Sequence, residues 1–124
     1  MAGIIDLDGS GDYLMEVVGE SHYQTVLAAI CGGRTREGHQ LGVKARLIHD
    51  SKNPHDSQPI KVEIAGKTVG YLSRERAREY RRKLAAAGFK GRTAECDAMI
   101  AGGWDRGQGD KGDFGVRLDI GTRS

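Results

Sequence analysis

Between Gln40 and Ile48 the side chains alternate, with Val43, Ala45 and Leu47 set against Lys44, Arg46 and Ile48. A period of two predicts a strand with one face turned inward. The same period returns twice more. Ile60, Val62 and Ile64 alternate with Lys61 and Glu63, then "AGKT" turns the chain and "VGYL" brings it back, which predicts a hairpin. Further on, Ala94, Cys96, Ala98 and Ile100 define one inner face, and Phe114, Val116, Leu118 and Ile120 another. Residues 13–18, "YLMEVV", add a β-prone run near the start.

Two stretches follow a helical period instead. Tyr23, Val26, Leu27 and Ile30 share a face, Ser21 is placed to cap that helix, and Gly32-Gly33 end it. Ser73 caps a second helix that runs to about Ala87 and stops at Gly88, with Ala77, Tyr80 and Leu84 facing inward. Its other side carries Arg74, Arg78, Arg81 and Arg82 at i, i+4, i+7 and i+8, one solvent-facing stripe. On that helix Glu75–Arg78 and Glu79–Lys83 are spaced as surface pairs. Six or so short strands with two interrupting helices predict an α+β fold: a small, strongly bent antiparallel sheet or partly open, OB-like barrel. The expected organisation is a flexible segment over 1–12, one domain over 13–120 and a flexible tail over 121–124. The loop 102–112, "GGWDRGQGDKG", is expected to be too glycine-rich and charged to pack.

Composition sharpens this picture in a few places. With 124 residues, 38% hydrophobic and 29% charged, the chain suits one ordinary globular core, and 19 glycines fit many tight turns. A net charge of +2 announces no nucleic-acid binder, but residues 74–83 alone hold six basic and two acidic side chains. That segment carries +4, and the remainder is left at −2. Cys31 and Cys96 lack any paired spacing, so buried thiols are expected rather than a disulfide or a zinc knuckle. The first residues have no basic leader or long apolar run, and a cytoplasmic protein is expected.

The candidate chemistry centres on "NPHDSQPI", residues 53–60. Adjacent side chains in an extended chain point opposite ways, so His55 and Asp56 do not readily form one catalytic dyad. No phosphate-binding loop, nucleophile elbow or HExxH run occurs, and His22, His39 and His49 have no metal-ligand spacing. An enzyme is not expected, nor a cofactor. Pro54 stiffens the run and Asp56 can close an Asx turn, so the bland reading is a structural loop. A stiff loop with an exposed imidazole is also a stacking platform for a base. The arginine stripe has a bland reading too, as a solvated helix face.

Taken in order, "VVGESHYQTV", "VKARLIHD" and "NPHDSQPIKVEIAGKTVGYLSRE" resemble the HIRAN domain. The shared signature is V-x-G followed by aromatics, a strand, an N-P-aromatic-D turn, an I-x-V strand and a G-Y/H-L-x-basic step into a helix. The resemblance covers roughly residues 13–120 and looks like the stand-alone bacterial form rather than the form attached to Snf2-type DNA translocases. It implies a compact barrel related to the OB-fold that recognises single-stranded DNA, in its best-understood members at a free 3′ hydroxyl. Carried over, His22 and Tyr23 stand as the aromatic pair, His55 as the loop ring, Asp56 as the acid, and Tyr71 and Arg74 as the polar aromatic and the base. Stacking, a hydrogen bond from a terminal sugar hydroxyl to Asp56 and a phosphate grip by Arg74 are the implied roles. Ser21 stands where end-binding members carry arginine, His22 and His55 where they favour tyrosine, and Gln58-Pro59 where Asn-Ala is usual. Those departures are expected to weaken DNA binding, for which Arg78, Arg81 and Arg82 are candidate compensation.

The expected function is therefore a non-catalytic nucleic-acid-binding module for single-stranded DNA or a 3′ DNA end, working beside a helicase, nuclease or other repair protein and not a membrane. The alternative is a protein-interaction module that takes a peptide in the same groove. A hydrolase or nuclease stands third, on the His-Asp content alone.

Overall fold

The computed structural model describes residues 4–7, 9, 11–13, 15–50 and 59–120. Seven strands and two α-helices follow one another in these residues: β1 (Ile5–Asp6), β2 (Met15–Glu16), a 3₁₀ turn (Glu20–His22), α1 (Gln24–Cys31), β3 (His39–His49), β4 (Ile60–Ile64), β5 (Lys67–Tyr71), α2 (Arg74–Ala86), β6 (Ala94–Gly102) and β7 (Phe114–Asp119). The sheet order is β2-β7-β6-β3-β4-β5, and every neighbouring pair on that path is antiparallel. This is the expected α+β fold with a strongly curled sheet. The curl goes far enough that Val18, just past β2, meets Tyr71 at the end of β5. The Val18 N–H donates to the Tyr71 carbonyl at 2.8 Å and the Tyr71 N–H returns a bond at 2.9 Å.

That seam explains Gly70 physically. A Cβ there would lie 2.4 Å from Val17 Cγ1 and 2.7 Å from the Val18 carbonyl oxygen, so a side chain would hold the two edges apart. The hairpin between β4 and β5 turns on Ala65 and Gly66, with φ of 54° and 77°, both in the left-handed region that a two-residue type I′ turn requires. Register then slips between Val62 and Glu63, leaving Val69 as an extra residue on β5. A bulge of this kind increases local twist and helps the sheet close.

The alternating faces read from the sequence form the core. Leu47, Ile60, Val62, Val69, Ala94, Ala98, Ile100 and Leu118 are fully buried, and α2 lays Ala77, Tyr80 and Leu84 over them. Ser73 caps α2 as expected, its Oγ accepting from the Arg76 N–H at 3.2 Å. Cys96 is buried and Cys31 half-buried, both as free thiols.

Several expectations need correcting. Ser21 does not cap α1. Gly19, at φ 80°, tips the chain into the 3₁₀ turn that absorbs Ser21, and α1 starts at Gln24 with no side-chain cap. The run 13–18 shrinks to a two-residue strand plus the Val18 bridge. The segment before residue 13, expected to be flexible, contributes β1. This strand pairs in parallel with Ala94 and Glu95 of β6, where β7 has already ended. The buried Asp119 carboxylate then accepts from the Gly11 N–H at 3.0 Å and the Tyr13 N–H at 3.4 Å, tying the N-terminal strap to β7.

The loop 102–112 packs as well. Trp104 bridges to Thr35 and Asp105 to Lys111, Trp104 Nε1 donates to Asp110 at 3.2 Å, and the Arg106 guanidinium lies 5.5 Å from the Trp104 ring centre. Arg34 reaches over from the other side, donating to the Gly112 carbonyl at 2.7 Å. Among the described residues Arg76 pairs with Glu79 on α2 at 3.3 Å, and Glu75 makes no ion pair with Arg78. The expected tail 121–124 lies outside the described residues.

Candidate nucleic-acid interface

The seam between β2 and β5 gathers several of the residues singled out above. Tyr71 ends β5 on the seam itself, and its hydroxyl shares a hydrogen bond with Tyr23, the residue between the 3₁₀ turn and α1. Partial burial, that bond and the nearby charge of Asp50 push the Tyr71 phenol above its ordinary value of 10, so the ring stays neutral. His22 stands exposed on the turn beside Tyr23, and Arg74 stands exposed at the first residue of α2, three residues after Tyr71. Exposed Val18, at 42% accessibility, gives the same rim an apolar contact.

His55 and Asp56 lie outside the described residues, as does the expected Asx turn. The residues on either side of them, Asp50 and Pro59, are described. The Asp50 N–H donates to the Pro59 carbonyl at 3.0 Å, and the Leu72 N–H to the Ile60 carbonyl at 3.0 Å. Asp50 acts on Tyr71, so Asp50 and Pro59 lie next to the seam.

The arginine stripe divides in two. Arg74, Arg78 and Arg82 are exposed and make no ion pair among the described residues, which leaves their guanidinium groups available to an anion. Arg81 is half-buried instead of solvent-facing and turns toward His49 at the end of β3. The His49 ring lies 6.1 Å from the Tyr80 ring, tilted by 37°. Burial first, and Arg81 second, hold the imidazole below its ordinary 6.5. The exposed stripe thus starts next to the seam at Arg74 and continues along α2 through Arg78 and Arg82. The Tyr80 hydroxyl beneath is pushed up to about 12 by burial and plays no acid–base part near neutral pH.

Sequence reasoning missed the residues that build this rim from behind. Gln24 acts as a substitute strand: its Oε1 accepts from the Phe114 N–H at 2.8 Å, and its Nε2 donates to the Phe114 carbonyl at 2.9 Å and the Glu20 carbonyl at 3.0 Å. Glu20 Oε2 accepts from the Val116 N–H at 2.5 Å. Together they satisfy the free edge of β7 and fix the 3₁₀ turn that presents His22 and Tyr23. Only the i, i+4 spacing of two polar residues marks them in the sequence, and that signal is not specific. Among the described residues no group of three or more His, Cys, Asp or Glu is arranged to hold a metal ion, and no helix is long and apolar enough to cross a membrane. Comparison with protein-family models, with curated proteins and with solved structures gives no match for this chain.

Proposed function

We propose that this chain is a non-catalytic nucleic-acid-binding module that takes single-stranded DNA, or a 3′ DNA end, along the β2–β5 seam, as its resemblance to the HIRAN domain implies. The observation that carries this reading is that Tyr23 and Tyr71 meet at one rim, with exposed His22 next to Tyr23 and exposed Arg74, which makes no ion pair among the described residues, three residues after Tyr71. Rings that can take a base and a guanidinium that can take the adjoining phosphate are the two parts a single-strand site needs. Arg78 and Arg82 extend the positive charge along α2, so the strand leaves the seam over that helix. The working partner is a helicase, nuclease or other repair protein in the cytoplasm.

The test is an Arg74→Ala, Asp56→Ala double variant. It loses a phosphate grip and a hydrogen-bond acceptor and binds single strands at least about tenfold more weakly than wild type. Unchanged binding would show that the site is misplaced.

A further inference from the structure

Strand β3 outruns its neighbour on one side. β6 accompanies it from His39 to Leu47, whereas β4 ends at Ile64, opposite Ala45, and no described strand pairs with residues 39–44 on that side. The Asp50 N–H bonds the Pro59 carbonyl, so even-numbered residues of β3 direct their N–H and C=O toward the β4 side and odd-numbered ones face β6. The bonds from the Ile5 and Leu7 N–H groups to the Thr93 and Glu95 carbonyls agree, because they leave the even-numbered residues of β6 to face β3. Gln40, Gly42 and Lys44 therefore point their backbone groups past the end of β4. All three are exposed, and on that side none of them has a backbone partner among the described residues.

The usual protections of a free edge are missing here. No proline or register shift interrupts residues 39–44, and the Lys44 ammonium is held over β6 by Asp97. Gly42 adds an independent observation. Among the described glycines it alone has neither a left-handed φ nor any atom within 4 Å of where a Cβ would lie, so nothing in the fold calls for a glycine in mid-strand. A bare position on an edge leaves room for a large ring of an added strand to lie across it. On the opposite face Leu41 stands 38% exposed beside half-buried Val43, and aliphatic side chains of an added strand would cover both.

We infer that this stretch of β3 is a docking edge for an extended peptide segment of a partner protein, with an aromatic residue over Gly42 and an aliphatic one on each side of it, beside Leu41 and Val43. A second copy of the chain fits less well. Pairing β3 with itself about Gly42 sets Gln40 of one copy level with Lys44 of the other, where one further step of the β3–β4 register already puts the turn at Ala65. The edge lies at the turn end of the β4–β5 hairpin and Tyr71 at its other end, so the inference does not rest on the nucleic-acid reading.

The probe is the fluorescein-labelled peptide Ser-Val-Tyr-Val-Ser-amide, followed by anisotropy as the whole chain is added. It binds saturably. In an added strand only alternate amides face β3, so N-methylation at the tyrosine weakens binding at least about tenfold, and N-methylation at the second valine leaves it within about twofold. Gly42→Val fills the space for the ring and weakens binding severalfold, while its urea midpoint is no lower than that of wild type because valine suits a strand. In amide exchange the peptide protects Gln40 and Gly42 and leaves Leu41 and Val43, already bonded to β6, unchanged. No saturable binding, equal effects of the two methyl groups, or protection confined to amides outside residues 40–44 would overturn the site. Protection of Gln40 and Gly42 that grows with protein concentration in the absence of peptide would also overturn it, because the edge would then belong to a second copy of the chain.

Discussion

At the scale of single residues, two side chains carry strain or charge that can be read out separately. Ala65 occupies the first left-handed position of a type I′ turn, where its Cβ crowds the backbone, and asparagine tolerates that conformation better. Ala65→Asn raises stability by about 0.5–1 kcal/mol, measured as a higher urea midpoint with an unchanged slope. His49 behaves in the opposite sense as acid is added. Its folded value lies below the ordinary 6.5, so the unfolded chain binds the proton more readily. Stability from the neutral ring is complete above pH 6.5 and is lost as pH falls from there toward the folded value. His49→Phe keeps a ring against Tyr80 and removes the proton site. The unfolding midpoint of that variant therefore falls less steeply below pH 6.5 than wild type's does.

At the scale of elements, α1 matters less as a helix than as the carrier of Gln24. An eight-residue helix without a side-chain cap has little stability of its own, and here it is held by Leu27, fully buried in the core, and by the Gln24 amide that completes the β7 edge. Gln24→Ala leaves the Phe114 N–H and carbonyl unpaired in a partly buried place and costs about 1–3 kcal/mol. Chemical denaturation measures the loss, and amide exchange at Phe114 localises it. The same contrast separates what the sequence made legible from what it did not. Strands β3, β4, β6 and β7 and the helix α2 announce themselves because a buried face imposes its period on every second or every third to fourth residue. Ser73 is legible because a cap is local. The 3₁₀ turn, β1 and the packing of the 102–112 loop are not, because each depends on partners far along the chain: Val116 for Glu20, Ala94 for Ile5, Arg34 and Thr35 for the Trp104 loop.

At the scale of the whole molecule, barrel closure is what turns scattered motifs into one rim. Residues near 20 and near 71 are distant in sequence, and the Val18–Tyr71 bridge makes them neighbours. Gly70 permits the approach, and Tyr71 on one side of it meets Tyr23 on the other. Of the site expected from sequence, Tyr23 and Tyr71 meet, His22 and Arg74 follow them closely along the chain, Arg78 and Arg82 are exposed farther along α2, Arg81 lies half-buried near His49, and His55 and Asp56 lie outside the described residues. Side-chain spacing on α2 could show that the arginines shared a face, but only packing against β3 could decide which of them turned inward.

We propose that this rim binds a single strand through its rings and through phosphate contacts. It is tested most directly by fluorescence anisotropy of a labelled single-stranded oligonucleotide ending in a 3′ hydroxyl or a 3′ phosphate, titrated across a salt series. The hydroxyl end is expected to bind more tightly, and log K to fall with log salt by about 0.7 for each phosphate contact. Absence of binding, or affinity indifferent to salt, would contradict it.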